Sequence, residues 1–378
     1  MEIVLTAKIK LLPNEKEKLE LKQTIDIIKK ALNYTSEVAY NNNLLSGFKK
    51  LQTLVYYDLR QKFGLKSQMS CNVCSVVAGN YASMKSNGEK TKAFYKKAKL
   101  QYSYNRDYSF VTSKKGEKLL SVGTLMKRIK IPYETNGMEH FLDGTWEFGT
   151  GTLVYKKGKF YLHISCKKEI EEVKLDNLKN IVGADFGMNF LVTAIDNHQE
   201  MFFAKGRYIK NKKAQYVRTR KKLQTKGTKS AKRCLAKISG RENRFQTDVN
   251  HCVSKALVNF AGKDSLIALE DLTGINLNTW VQKKDRYYRS SWAFAQLRQF
   301  IEYKAKLKGS KVVDVDPAYT SQKCPKCGHT ERDNRNKKTH IFICKCCGYT
   351  SNDDRVAAMN IRQSGIEYRH NQNLLSPV

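Results

Sequence analysis

The spacing of hydrophobic residues changes twice in the first half of the chain. The residues at the start alternate between apolar and polar side chains, as in a strand, and the stretch that follows is mostly helical in its spacing. Residues 100–178 alternate again, and the segment LVYKKGKFYLHIS (153–165) has the form of a β-hairpin. We therefore predict a helical domain, 13–99, and a small β-barrel-like domain that combines residues 1–12 with 100–178.

The second half of the chain alternates short apolar strands with helices. Strands are predicted at residues 181–189, 190–196, 200–206, 265–270 and 311–316. Helices are predicted at residues 205–245, at 294–305 and, as a short final helix, from near Asp353. The order of these elements is three antiparallel strands, helix, strand, helix, strand, insert and helix. This order is the ribonuclease-H-like arrangement. The predicted fold class is thus multi-domain α/β, with a ribonuclease-H-like domain at 179–318 and 349–378 and an insert at 319–348.

The charge of the chain is the feature of its composition that bears most on function. Sixty-nine Lys and Arg face 35 Asp and Glu, which gives a formal net charge of +34 at pH 7. Such an excess repels itself unless a polyanion neutralises it, and nucleic acid is the usual polyanion. Sixteen basic residues lie between positions 205 and 245 with a single acid, Glu242, which favours a large phosphate-binding surface there.

Cysteine usage and hydropathy point to a cytoplasmic protein without a membrane partner. The sequence begins without the uninterrupted apolar run of a signal peptide, and no stretch approaches membrane-spanning length. Of ten cysteines, five lie between Cys324 and Cys347 and the others are scattered. That distribution indicates metal binding in a reducing compartment rather than a disulfide scaffold.

Four of the clustered cysteines have the spacing of a zinc ribbon. They form two CxxCG motifs that are sixteen residues apart: Cys324, Cys327, Cys344 and Cys347. Each motif presents two thiolates on a tight turn, and the Gly that follows permits the backbone conformation of that turn. The four thiolates predict one closed, structural Zn²⁺ site. Ligation would supply most of the folding free energy of so short a segment, on the order of 10 kcal/mol.

Other cysteines and histidines are weaker candidates for metal binding. Cys346 is a spare cysteine inside the ribbon, and His329 or His340 is the alternative ligand. Cys71 and Cys74 stand three residues apart in a predicted helix, and we interpret them as half-buried core thiols.

Three carboxylates are notable for their places in the predicted elements. Asp185 lies in an apolar strand, Glu270 ends another, and Asp354 begins the last helix. An ionised acid in an apolar strand is costly unless it is paired or ligates a metal. Three acids that converge in a ribonuclease-H-like core can hold two Mg²⁺, a hard cation that takes oxygen ligands, for in-line phosphodiester hydrolysis.

Neighbouring acids compete for each of these roles. On an extended strand Asp271 points opposite to Glu270, so only one of the two faces the core. Spacing alone does not separate Asp353 from Asp354, and the other acids of this half, Asp196 and Asp316, are weaker candidates.

Together these segments resemble the TnpB-type (OrfB) transposon-encoded nucleases and the compact type V CRISPR effectors, which are Cas12-like. The matching segments are Gly183-Ala-Asp185-Phe-Gly187, Leu269-Glu270-Asp271-Leu272, Pro317-Ala-Tyr-Thr-Ser-Gln-Lys-Cys324 and Asp354-Arg-Val-Ala357-Ala358-Met-Asn360-Ile361. The resemblance is specific over residues 181–361 and is one of architecture over 1–178. One departure is Val356, where the family usually has Asn; it leaves the expected metal ligands intact.

The resemblance implies an RNA-guided DNA endonuclease with a RuvC catalytic domain. It selects Asp185, Glu270 and Asp354 as the catalytic ligands of two Mg²⁺, in preference to Asp271 and Asp353. It further implies a guide RNA on the basic surface and double- and single-stranded target DNA, read by base pairing and by a short flanking duplex motif.

Each predicted domain receives a role from the same resemblance. Residues 13–99 would form a recognition domain, residues 1–12 and 100–178 a wedge domain, and residues 319–348 a zinc-ribbon domain that binds target nucleic acid.

Two other functions are compatible with these residues. A DNA transposase, acting as a strand transferase, would use the same three acids, which do not distinguish it from a nuclease. A non-cleaving, RNA-guided DNA-binding repressor would need none of them, and the presence of Asp185, Glu270 and Asp354 argues against it.

Overall fold

The computed structural model describes residues 1–98, 100–187, 189–271, 293–336 and 339–375. The chain forms two compact units, one of Glu2–Glu169 and one of Met1 with Ile170–Val378. Both combine helices with a β-sheet, so the predicted α/β class is confirmed. The finer division into four domains stays a prediction.

Seven strands of the first unit, counted over its described residues, form an antiparallel sheet that is nearly closed into a barrel. The strands are β1 (Glu2–Leu11), β2 (Leu100–Tyr102), β3 (Tyr108–Thr112), β4 (Lys118–Gly123), β5 (Arg128–Glu134), β6 (Glu147–Lys156) and β7 (Lys159–Glu169). Their spatial order is β2-β6-β7-β1-β5-β4-β3.

The two edge strands of this sheet are drawn toward each other by buried tyrosines. The hydroxyl of Tyr108 on β3 donates a hydrogen bond to the carbonyl of Gly149 on β6, at 2.8 Å. The hydroxyl of Tyr102 on β2 donates to the carbonyl of Gly123 on β4, at 2.7 Å. Each bond links an edge strand at one end of the sheet to a strand next to the opposite edge. The sheet therefore curls, and the predicted barrel-like sheet is confirmed.

The hairpin predicted at 153–165 is present as β6 and β7. Its two-residue turn, Lys157 and Gly158, has φ angles of 50° and 79°. Left-handed residues at both positions give the turn a twist that matches the twist of the flanking strands.

The helical region of the first unit consists of α1 (Glu15–Asn41), α2 (Phe48–Gln61) and α3 (Ser67–Ser86). Asn14 and Glu17 form a reciprocal capping box at the start of α1. Cys74 is buried and Cys71 half-buried, which confirms them as core thiols. The predicted helical stretch was too long: α3 ends at Ser86, because Gly88 turns the chain with a φ of 72°.

The sheet of the second unit is mixed. Its strands are β8 (Asn180–Asp185), β9 (Phe190–Ile195), β10 (Met201–Lys205), β11 (Ser265–Glu270) and β12 (Lys311–Val315). They lie in the order β10-β9-β8-β11-β12; β8, β9 and β10 are antiparallel to one another, and β11 is parallel to both β8 and β12. Each strand predicted in this half of the chain is present.

Helices cover both faces of the mixed sheet. The helices in the described part of this unit are α4 (Arg207–Lys226), α5 (Lys229–Ile238), α6 (Arg241–Ala261), α7 (Phe294–Leu307) and α8 (Asp353–Leu375), of which α6, α7 and α8 pack on the sheet. Leu257 of α6 and Leu297 and Ile301 of α7 pack on one face, whereas Ile361 of α8 packs on the other. The last helix was predicted to be short but has 23 residues, and its apolar contacts with the sheet continue past Ile361 to Ile366 and Tyr368.

Helix α8 and strand β8 approach so closely that a side chain is excluded between them. A Cβ on Gly183 would lie 2.2 Å from the backbone nitrogen of Arg362 and 2.3 Å from the carbonyl oxygen of Ala358. Backbone atoms of a packed helix cannot move aside for such a methyl group. Glycine at position 183 therefore sets where α8, and with it Asp354, lies on the sheet.

The predicted ribbon contains a small sheet of β13 (Arg335–Asn336), β14 (Ile341–Ile343) and β15 (Thr350–Asn352). Strand β15 runs directly into α8. Val356 of α8 is buried against Cys324, Phe342 and Cys344, so an apolar residue at this position joins the ribbon to the helix. Among the residues that the structure describes, no helix is both long and apolar enough to cross a membrane.

Candidate active site and zinc-binding cysteines

Two of the predicted acids lie side by side at one edge of the mixed sheet. Asp185 is the last residue of β8 and Glu270 is the last residue of β11. The two strands are parallel neighbours in which Ala184 pairs with Leu269. Since paired strands are about 4.8 Å apart, the residues that follow this pair are close neighbours.

Asp354 reaches the same edge from the first turn of α8 and is 7% exposed. The pKa of Asp185 is raised well above its ordinary value, chiefly by burial and then by the negative charges of Glu270 and Asp354. The three carboxylates therefore lie within electrostatic reach of one another. Their catalytic role stays a prediction.

The other two acids share this electrostatic environment. Burial is the main cause that raises the pKa of Glu270 and of Asp354, and Asp353 raises the pKa of Asp354 further. Arg335 acts in the opposite direction on the pKa of all three acids. Neighbouring carboxylates whose pKa values are raised in a partly buried site fit a divalent cation bound through oxygen.

Two residues hold the loop that follows β12 against this site, and sequence reasoning did not single them out. The hydroxyl of Thr320 donates to the carboxylate of Glu270. Asn360 on α8 donates to the carbonyls of Thr320, at 2.6 Å, and Lys323, at 2.8 Å. Both lie inside segments that carry the family resemblance, so the signal was available there.

Arg335 was also missed, and no local pattern distinguishes it among the charged residues of the ribbon. It lies on β13, and its Nε donates to the fully buried carboxylate of Asp353, at 2.8 Å. Its Nη2 lies 3.8 Å from the Oδ1 of Asp354. The ribbon therefore contributes a cation to the acidic site.

The weaker acidic candidates have other surroundings. Asp196 follows β9, toward the opposite end of the sheet from Asp185, and accepts hydrogen bonds from the backbone of His198 and Glu200. Asp316 is exposed and accepts from the backbone of Ala318. Asp271 is exposed beside the half-buried Glu270. The fourth residue of that matched segment, Leu272, lies outside the described residues.

The four predicted zinc ligands form one cluster. Their sulfur atoms lie within 4.8 Å of one another, with 3.7 Å between Cys324 and Cys347 and 3.5 Å between Cys327 and Cys344. Four thiolates at about 2.3 Å from a tetrahedral Zn²⁺ would be about 3.8 Å apart, so the arrangement fits this ion.

The turns that present the thiolates have the conformation expected from the CxxCG motifs. Gly328 and Gly348 have φ angles of 77° and 70°. His329 pairs with Glu331 at 3.0 Å, and His340 faces Asp353 at 3.3 Å, while Cys346 is exposed outside the cluster. Four cysteines, rather than a mixed set with histidine, are the ligand set that this geometry favours.

Comparison with known protein families gives two adjacent matches. Residues 163–279 match the family described as a probable transposase, OrfB_IS605, and residues 294–361 match the TNB domain of Cas12f1-like proteins. The chain is a relative of the TnpB and Cas12f proteins. The resemblance predicted from the sequence is confirmed.

Individual TnpB and Cas12f relatives match over part of their length. A CRISPR-associated endodeoxyribonuclease Cas12f1 of Sulfoacidibacillus thermotolerans is 30% identical over 61% of this chain and 56% of that protein. A TnpB-like protein of Methanocaldococcus jannaschii is 39% identical over 37% of this chain and 50% of that protein. The chain thus spans about half the length of these relatives.

A solved structure resembles nearly the whole chain. The cryo-EM structure of a Cas12f1–sgRNA–target DNA complex matches with a TM-score of 0.63 over 91% of this chain and 81% of that one, at 15% identity. At this identity the likeness establishes the fold alone, which is the α/β fold of Cas12 proteins.

Proposed function

We propose that the chain is an RNA-guided DNA endonuclease whose catalytic domain is ribonuclease-H-like and of the RuvC type. The observation that carries the proposal is the position of three acids that are distant in sequence: Asp185 and Glu270 end the parallel neighbours β8 and β11, and Asp354 begins α8 close enough for its charge to raise the pKa of Asp185. An acid whose pKa is raised by burial and by neighbouring carboxylates is costly to the fold when it is ionised, and such a cost is typical of catalytic sites.

The carboxylates of Asp185, Glu270 and Asp354 would hold two Mg²⁺. Bound there, the ions would lower the pKa of the attacking water and stabilise charge on the leaving 3′ oxygen. Water attacks the scissile phosphorus and the P–O3′ bond breaks, which gives a 5′-phosphate and a 3′-hydroxyl. Within the protein, Thr320 orients the carboxylate of Glu270, and Arg335 supplies positive charge beside Asp354.

The positively charged helices α4 and α5 support binding of a guide RNA. Twelve of the sixteen Lys and Arg between positions 205 and 245 are exposed, and the acid of this segment, Glu242, pairs with Arg220 at 2.9 Å. A surface of this charge neutralises many phosphates, so its affinity for RNA should fall steeply with salt. The Cas12f1 of similar fold is named in complex with a guide RNA and target DNA.

Target DNA would be read in two ways. Guide RNA would pair with one strand, and the protein would read a short flanking motif of the duplex. The zinc ribbon would bind the target strand as it enters the site, since it ends in β15 and α8 beside Asp354.

A cleavage assay tests the proposal. RNA that copurifies with the protein is sequenced, and a duplex that matches it is incubated with the complex in Mg²⁺ or in EDTA. We expect cuts that depend on both Mg²⁺ and the matching sequence. Protein that emerges free of RNA, with no salt-sensitive affinity for it, would contradict the guided function.

A DNA strand transferase is the second candidate, because the family matched by residues 163–279 is described as a probable transposase. The same incubation with transposon ends distinguishes the two, since a transferase joins DNA ends whereas a nuclease leaves free 3′-hydroxyls. A non-cleaving repressor would bind the guided target and leave it intact in Mg²⁺.

A further inference from the structure

Asp353 is a charged side chain that the three-acid site does not use. It immediately precedes Asp354 at the start of α8, and its carboxylate has no exposed surface. A buried carboxylate is costly unless partners satisfy its oxygens. The groups that contact its carboxylate therefore indicate the role of Asp353.

Each oxygen of Asp353 has a partner. Oδ2 accepts from the Nε of Arg335 at 2.8 Å, while Oδ1 accepts from the backbone N–H of Asp354 at 3.0 Å and faces the Nδ1 of His340 at 3.3 Å. Its own backbone N–H donates to the carbonyl of His340 at 3.2 Å. One carboxylate thus ties β13, the turn before β14 and the first turn of α8 together.

The contact with Arg335 sets the direction of the guanidinium. Because Nε is bonded to Asp353, Nη2 is turned toward Asp354 and lies 3.8 Å from its Oδ1. Charge-assisted hydrogen bonds of this type are strong and directional. An arginine on a two-residue strand would otherwise have several rotatable bonds free to take it into solvent.

We propose that Asp353 is a positioning residue, which anchors Arg335 beside Asp354 so that a free guanidinium edge faces the DNA phosphate to be cut. This inference rests on the proposed nuclease function. Asp353 acts through Arg335 and touches neither substrate nor the reacting atoms. The ribbon and the mixed sheet then share one catalytic centre: the sheet supplies Asp185 and Glu270, the ribbon supplies the cation, and α8 supplies its anchor.

Double-mutant kinetics of the guide-bound complex test the proposal. We expect Asp353→Ala to lower the single-turnover cleavage rate about 10- to 100-fold, as small displacements of a positioned group do. In an Arg335→Ala background the same change should have less than about a twofold effect, because the residue through which it acts is gone. Asp353→Asn, which keeps an oxygen for Nε–H, should be intermediate.

The control is Asp196→Asn, which changes another buried acid of the same unit that accepts backbone hydrogen bonds. It should cleave within about twofold of the parental rate at a temperature where both are folded. Multiplicative effects of Asp353→Ala and Arg335→Ala would overturn the proposal. An unchanged cleavage rate in Asp353→Ala would also overturn it. If the only defect of Asp353→Ala were an increased Mg²⁺ requirement, Asp353 would be a metal ligand and the proposal would be wrong.

A second readout needs no substrate. In protein labelled with ¹⁵N-arginine, the Nε–H resonance of Arg335, assigned by its loss in Arg335→Lys, should exchange slowly with water and should be lost or shifted in Asp353→Ala. A resonance that is unchanged in Asp353→Ala would overturn the proposal. If the parental complex does not cleave, the proposed function fails, and this resonance still decides whether Asp353 holds Arg335.

Discussion

The two candidate metal sites of the second unit are assembled in different ways. The cysteine cluster draws its four ligands from 24 consecutive residues, on two tight turns that each close at a glycine. The acidic site draws Asp185, Glu270 and Asp354 from the ends of two strands and the start of a helix, 169 residues apart at the extremes (354 − 185).

The geometry of the cysteine cluster is therefore set by local turns, whereas the geometry of the acidic site is set by the tertiary fold. Local turns can present thiolates to a metal before the rest of the chain is packed. The carboxylates meet only when β8 pairs with β11 and α8 packs against Gly183. Changes at the first site should therefore act on metal content and stability, and changes at the second on catalysis.

The largest effect is expected from breaking the cysteine cluster. Cys344→Ser removes a buried thiolate and should abolish stoichiometric zinc, with loss of a ligation free energy on the order of 10 kcal/mol from the ribbon. Zinc per chain is measured by atomic absorption. The control, Cys346→Ser, changes an exposed cysteine outside the cluster and should keep its zinc. Equal zinc in both variants would refute the assigned ligand set.

Removal of one acid should abolish cleavage without affecting binding. Asp185→Ala, Glu270→Ala and Asp354→Ala should each lower the guided cleavage rate at least about 10³-fold, equivalent to about 4 kcal/mol of barrier. Affinities for RNA and DNA should stay within about threefold, since phosphate contacts elsewhere carry them.

The matched control for the acids is Asp316→Ala, which changes an exposed acid after β12. It should cleave at the parental rate. Any one of the three variants that also cleaves at the parental rate would show that its acid was misassigned.

The fold that assembles the acidic site can be broken without touching an acid. Gly183→Ala would place a methyl group against the backbone of α8, and we expect a loss of about 3 kcal/mol in unfolding free energy together with slower cleavage. Gly79→Ala is the control, because Gly79 lies within α3 and an added Cβ there would contact no neighbouring atom; this change should stabilise by about 0.5–1 kcal/mol. Denaturant unfolding measures both, and a tolerated Gly183→Ala would contradict the close packing of α8 on β8.

The smallest effect is expected from removing the charge of Asp185, which should stabilise the metal-free protein. The pKa of Asp185 is raised in the folded chain, so the folded state binds its proton more tightly than the unfolded state. The stability of the metal-free protein should therefore fall as the pH rises from the unfolded pKa, about 4, through the raised value. Asp185→Asn should stabilise the metal-free protein by about 1 kcal/mol at pH 7.5 and have little effect at pH 4.

Mg²⁺ provides the complementary measurement for this prediction. It should raise the melting temperature of the parental protein more than that of Asp185→Asn, because a ligand stabilises only the state that binds it. An identical rise in melting temperature with Mg²⁺ in both proteins would show that Asp185 does not bind the metal.

Features that depend on short-range spacing could be predicted from the amino-acid sequence alone. The two CxxCG motifs defined the cysteine cluster, the alternation around Lys157 and Gly158 defined a hairpin, and each strand of the mixed sheet followed from its apolar run. The ends of helices were predicted less well. Helix α3 ends earlier than predicted, at Ser86, and α8 extends further than predicted, to Leu375, because helix ends depend on caps and on packing.

The way in which distant residues combine depends on the folded chain and could not be predicted from local patterns. The parallel register of β8 and β11 brings Glu270 beside Asp185, and the packing of α8 brings Asp353 and Arg335 together. A sequence lists the charges, but their pKa values and partners depend on burial and distance in the folded chain. For that reason Arg335, on a two-residue strand without a recognisable pattern, became visible only through its contact with Asp353.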